Sequence, residues 1–149
     1  MTYEEIYSQF YSKQTDPTFF KKYSKEEAYD LMKNWLHSLV GTPYIRKCFS
    51  SITLDDNILE LTFKLNLSID DESDNYFVKD VFAQGMVICW EQQKIDKITN
   101  MAAVLGGKEE KSLLNNYKNN MTRVKTLEVN LRKFIRDYGY VYNEYIGEQ

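Results

Sequence analysis

Apolar residues return every three or four positions at the start of the chain: Tyr3, Ile6, Tyr7, Phe10 and Tyr11 share one helical face. Thr2 and Glu5 stand before them at capping-box spacing, where a hydroxyl and a carboxylate satisfy each other's free backbone N–H groups. The spacing predicts a helix over 3–13, broken at Asp16-Pro17, with Pro17 opening a further turn through Phe19 and Phe20. A second capping pair, Ser24 with Glu27, precedes the stripe Ala28, Leu31, Met32, Trp35, Leu36 and Leu39. Gly41 and then Thr42-Pro43 stop that helix, since glycine accepts a left-handed cap and proline cannot continue the ladder. Pro43 to Phe49 is expected to make one more helical turn.

The period then changes. Leu59, Leu61, Phe63, Leu65, Leu67 and Ile69 alternate with Glu60, Thr62, Lys64, Asn66, Ser68 and Asp70, the pattern of a strand with one wet face. Ile52 and Leu54 lie on the other side of the turn Asp55-Asp56-Asn57, which predicts a β-hairpin with strands near 51–55 and 58–68. A lone hairpin is marginal in water, so this one must lie on the helices or pair with strands of another copy.

Past the acidic turn Asp70–Asp74, where Ser73 or Asp74 is expected to cap, residues 76–90 are apolar around most of a helix. Such a helix is central. Gly85 in its middle costs about 1 kcal/mol relative to alanine, a cost that makes sense where a neighbouring helix approaches closely. Residues 92–108 are less regular and end at Gly106-Gly107. Leu114, Tyr117, Met121, Val124, Leu127, Leu131, Phe134, Ile135 and Tyr138 then advance by threes and fours. They predict one helix from about 109 to 138, roughly 45 Å long, ended by Gly139. Its stripe is narrow, and so small a domain cannot cover it all. Part of it is expected to meet another subunit, an ordinary antiparallel bundle being the alternative. The expected fold class is mainly α: a helical bundle with a long C-terminal helix and one inserted β-hairpin at about 51–68. Residues 1–138 form one domain and 139–149 a C-terminal arm.

Composition adds to this pattern in a few places. Twelve tyrosines and eight phenylalanines in 149 residues exceed what a small core ordinarily uses, which leaves a tyrosine-rich core and an aromatic contact surface both open. Net charge is −3 with acids and bases mixed, so no basic stripe marks a nucleic-acid interface. Cys48 and Cys89, each in an apolar context, have no metal-ligand or C-x-x-C spacing and read as buried free thiols of a reducing cytoplasm. The acidic, amphipathic N-terminus is unlike a signal peptide, and no apolar run approaches the ~20 residues of a membrane span.

Candidate chemistry is sparse. His37 is the single histidine and lacks any flanking catalytic motif. Gly106-Gly107-Lys108 lacks the strand and first glycine of a phosphate loop. The acidic run Asp70, Asp71, Glu72 and Asp74 lacks the glycine and ligand spacing of a calcium loop, and reads as a solvated helix-capping turn. No catalytic residue, cofactor site or metal site is therefore expected, and the chain reads as a non-enzyme.

Gly85-Met86-Val87, Trp90, Lys94-Ile95, a loop, and a long helix closing on Arg132 and Phe134-Ile135-Arg136-Asp137-Tyr138 resemble small neck proteins of tailed phages of low-GC Gram-positive bacteria. The resemblance is best over 76–140, and the hairpin at 51–68 is longer than that family leads one to expect. It implies a head–tail connector or adaptor, made in the host cytoplasm and residing in the virion neck. Such a protein forms a ring, expected to be a dodecamer, between the portal protein and a second neck, stopper or tail-terminator protein. DNA crosses the channel without sequence-specific binding, which a mildly acidic ring suits. Carried over by the resemblance, Arg136, Asp137 and Tyr138 end the motif. With Tyr140, Tyr142, Tyr145 and Ile146 of the following segment they form the expected partner interface. The alternatives are another neck or tail-completion protein, or a monomeric helical binding module such as an inhibitor of a host protein.

Overall fold

The computed structural model describes residues 1–14, 17–102 and 108–147; the side chains at 17, 20, 99, 100, 102, 108–110, 113 and 139–147 lie outside the description. The order of elements is α1 (Tyr3–Lys13), α2 (Pro17–Lys22), α3 (Lys25–Val40), α4 (Pro43–Arg46), β1 (Phe49–Asp55), β2 (Glu60–Leu65), α5 (Asp71–Ala102) and α6 (Lys108–Gly147). The protein is mainly α with a long C-terminal helix and one inserted antiparallel hairpin, as the alternating periods predict.

Caps set the first boundaries. Thr2 and Glu5 form the full capping box, and Ser24 accepts from the Glu27 N–H. Gly41 closes α3, but with φ of −80° it is right-handed, so the expected left-handed cap is not used. Pro43 at the following helix's start is what forbids continuation.

Core packing explains the rest. Along α5, Phe77, Val78, Val81, Phe82, Ala83, Met86, Val87 and Trp90 are all buried. A Cβ at Gly85 would stand 2.7 Å from Leu39 Cδ2, so the missing side chain is what lets α3 close onto α5. An aromatic cluster fills the space among α1, α2, α3 and α5. Phe19 meets Phe10 edge-on at 5.2 Å and Trp90 edge-on at 5.2 Å, and Phe10 meets Trp35 at 6.0 Å. Much of the tyrosine content is absorbed in the same way, with Tyr3 and Tyr7 buried and Tyr11, Tyr23 and Tyr29 half-buried against the cluster.

The hairpin lies on this body, with Phe49, Leu61 and Leu65 buried and Phe49 stacked on Phe82 at 6.0 Å. It is shorter than the alternation predicts. Asn66 donates from its side chain to Lys47 O at 2.7 Å and from its backbone to Cys48 O at 2.9 Å, which ends the ladder before Leu67. Ile69 is accordingly exposed. Met1 and Tyr3 add a short third segment to β2: Leu61 N–H donates to Met1 O at 2.7 Å and Tyr3 N–H to Leu59 O at 2.9 Å. That contact steadies Leu59, whose φ of 54° is left-handed and costs about 1 kcal/mol or more.

Both long helices outrun their predicted limits. α5 starts at Asp71, capped by the Asp70 carboxylate on the Ser73 N–H at 2.7 Å rather than by Ser73 or Asp74. It also continues through the segment read as irregular, to Ala102. No proline or glycine interrupts residues 86–102, and helix formers there carry it on. α6 runs through Gly139 to Gly147, so the segment placed as a separate arm from 139 is, to that point, a continuation of the helix. One glycine weakens a helix without obliging it to stop. The expected break at Gly106-Gly107 lies outside the described residues.

Candidate partner interface

α6 is fastened to the body at two places, and its surface changes character between and beyond them. At the first, Glu91 of α5 is 1% exposed. Its Oε1 receives Lys94 Nζ at 3.1 Å and Arg123 Nε of α6 at 3.3 Å. Among the described residues its Oε2 has no hydrogen-bond partner. Val124, next to Arg123, is buried. Removing one partner of a buried charge typically costs about 3–5 kcal/mol, so this pair fixes how α6 lies along α5. After Ile95 on α5 and before Val124 on α6, no described residue is buried. The end of α5 and the start of α6 thus run on past their last buried positions, α6 by about 20 Å. Met101 and Leu114 are exposed there, Leu114 at 43%, and Tyr117 and Met121 are half-buried. Val129, on the outer side of α6, is 63% exposed.

The second fastening is at the other end. Leu131 is fully buried. Phe134 and Tyr138 stack on Phe77, with ring centroids 5.4 Å and 4.0 Å apart. The Tyr138 hydroxyl donates to Asp74, which also accepts the Ile69 N–H at 2.9 Å and the Ser68 hydroxyl. Burial pushes the Asp74 carboxyl up, but these three hydrogen bonds outweigh it and hold the group below its ordinary value. Burial first, and then the Asp74 contact, drive the Tyr138 phenol well above its ordinary range. Arg132 lies with its guanidinium 4.0 Å from the centre of the Tyr44 ring, a cation–π contact between α6 and α4.

Between these contacts opens a groove of about 400 Å³, lined by Tyr44, Lys47, Cys48, Leu65, Asn66, Leu67, Phe77, Ile135 and Tyr138. Its walls are mostly apolar. Cys48 and Cys89 are both free and half-buried, and burial pushes each thiol up to about 11, far from the thiolate a nucleophile needs.

A polar cluster lies at the hairpin turn. Tyr3 donates its hydroxyl to Asp56 Oδ1 at 2.6 Å, and His37 Nε2 lies 2.9 Å from the same carboxylate. The Tyr3 hydrogen bond, then that of His37, lowers the Asp56 carboxyl. His37 and Asp56 are both about half exposed, and their contact ties the hairpin turn to α3. Ile58 in that turn is 62% exposed.

Of the residues expected at an interface, Arg136 and Asp137 are exposed on α6, whereas Tyr138 is engaged with Phe77 and Asp74. The structure therefore does not bring these three together as one open patch. Tyr140, Tyr142, Tyr145 and Ile146 lie on the α6 backbone, with side chains outside the described residues. Sequence reading missed the groove and the Met1–Tyr3 segment. The groove is assembled from four elements without a shared spacing, and the segment shows no alternation because it is so short. Among the described residues no group of three or more His, Cys, Asp or Glu side chains is placed to hold a metal ion, and no helix is long and apolar enough to cross a membrane.

No family model matches the chain, and neither curated proteins nor solved structures include a significant match to it.

Proposed function

We propose that this chain is a structural subunit that joins others, and specifically a head–tail connector of a tailed-phage neck. In this reading it forms a ring between the portal protein and the next neck or tail component. The observation that carries the reading is the end of α5 and the start of α6, whose apolar residues Met101 and Leu114 are left exposed beyond the last buried positions. A subunit that worked alone would gain nothing from ~20 Å of helix outside its core. The residues Arg132 and Phe134–Tyr138, which carry the resemblance to neck proteins, fasten α6 to the body and so set the direction in which it projects. Arg136 and Asp137 stay open to a partner. A chain charge of −3 suits a channel wall that DNA crosses without adhering.

The test is native mass spectrometry of the protein mixed with its cognate portal. A symmetric ring of this chain added to the portal is the expected outcome. Deletion of residues 139–149 is expected to leave the fold intact and abolish docking. A chain that ignores the portal removes the neck reading. The groove beside Tyr44 favours a second reading, a monomeric helical module that captures one apolar anchor of a partner protein.

A further inference from the structure

The two ends of the β1–β2 hairpin are unlike. At its turn Ile58 is 62% and Leu59 48% exposed. Leu59 also keeps its left-handed φ of 54°, a conformation for which glycine or asparagine is the ordinary choice, with the Tyr3 N–H on its carbonyl. At the base of the turn Asp55 and Glu60 stand directly opposite each other in the register. Like charges placed so are destabilising. Among the described residues neither carboxylate is in an ion pair, whereas Asp56 beside them is taken by His37. The tip is thus apolar, strained and acidic, and nothing within the described chain answers any of the three.

The other end, where β1 begins and β2 finishes, opens on the groove of about 400 Å³ that Cys48, Leu65, Leu67, Phe77 and Ile135 help to line. Lys47 is the one charged residue on its wall. It is exposed, and among the described residues its ammonium has no ion-pair partner. Leu59 and Leu65 are separated by six residues of extended chain, about 20 Å, so the tip cannot enter the groove of its own chain. One hairpin therefore holds an acidic apolar tip and a basic apolar groove at opposite ends.

We propose that the tip of one copy seats in the groove of the next. Ile58 and Leu59 enter among Leu65, Leu67 and Ile135, and Lys47 of the receiving copy comes beside Glu60 and Asp55 of the entering one. The contact joins two different surfaces, so it runs head to tail and does not close on two copies. It deepens the neck reading by naming the contact between copies, and rests on that reading for the ring to close. The test omits the portal, so the two can fail separately.

The free, full-length chain is followed by sedimentation equilibrium, and its mass is expected to climb with concentration beyond twice 17.7 kDa. Ile58→Ser/Leu59→Gly removes the apolar tip and suits the left-handed φ, so melting temperature is expected to hold or rise. Association is expected to weaken by about thirtyfold or more, the effect of losing a buried anchor. Lys47→Glu is expected to weaken it by about tenfold, and Lys47→Glu/Glu60→Lys to restore it. A covalent trap reads the same contact through the native thiol in the groove. Ile58→Cys, oxidised with copper–phenanthroline, is expected to give a ladder in steps of 17.7 kDa, and adding Cys48→Ser is expected to abolish it. A wild-type chain that stays at 17.7 kDa at every concentration overturns the proposal and leaves the groove to a different protein. So does a tip variant that associates like the wild type, or a ladder that survives Cys48→Ser.

Discussion

Between Phe77 and Trp90, α5 is enclosed on nearly every side, with Val78, Val81, Phe82, Ala83 and Met86 all buried. α6 is longer, yet among its described residues only Val124 and Leu131 are buried, and the stripe between and beyond them is half-covered. Each is a long amphipathic helix, but they differ in what completes them. α5 is completed within the chain, by α1, α3, the hairpin and α6. Among the described residues, the projecting part of α6 packs against α5. A helix packed on one side keeps surface in reserve, and that is where the proposed joining contacts are expected.

The contrast is sharpest for large-to-small substitutions. Phe82→Ala in α5 is expected to lower unfolding free energy by about 3–5 kcal/mol in urea titration, since the enclosing side chains cannot all collapse into the cavity. Gly85→Val adds bulk against Leu39 and is expected to cost about 1–3 kcal/mol by the same measurement, despite the better helix propensity. In α6, Tyr138→Phe leaves the aromatic stacking on Phe77 but removes a donor from buried Asp74, with an expected loss of about 1–3 kcal/mol.

Acid should expose the second fastening. Asp74 and Asp80 both have carboxyls held below their ordinary value. Burial opposes this at Asp80, and the Lys13, Gln9 and Gln84 contacts outweigh it. Because the unfolded chain takes up protons first, their contribution is complete above about pH 5 and is lost as pH falls through the unfolded and then the folded values. Melting temperature is expected to hold level from neutral pH to about pH 5 and then drop, with a shallower drop in Asp74→Asn. At the smallest end, Leu114→Ser with Val129→Ser is expected to change stability by no more than about 0.5 kcal/mol each, because both positions are exposed.

Legibility in the sequence follows the same division. Where burial was one-sided or complete, periodicity located the element: the stripe of α3 and the enclosed run of α5 stand where it placed them, and the alternation of β2 does so as far as Leu65. The close approach at Gly85 was readable because a glycine in such a helix has few other uses. Where burial stops, periodicity stops with it. Residues 92–102 read as irregular because past Ile95 no described position there is buried, although the backbone remains helical. The expected interface was the least legible part. Tyr138 belongs to the fastening of α6, through a ring stack and a carboxylate 64 positions away, and nothing in its spacing distinguishes that from an exposed aromatic.

The most direct measurement is hydrogen exchange along α6 in the free protein and in its mixture with the portal. Exchange over residues 111–130 is expected to slow markedly on assembly while residues 77–90 of α5 stay as protected as before. Equal exchange of α6 in both states would contradict the assignment of that helix as the joining surface.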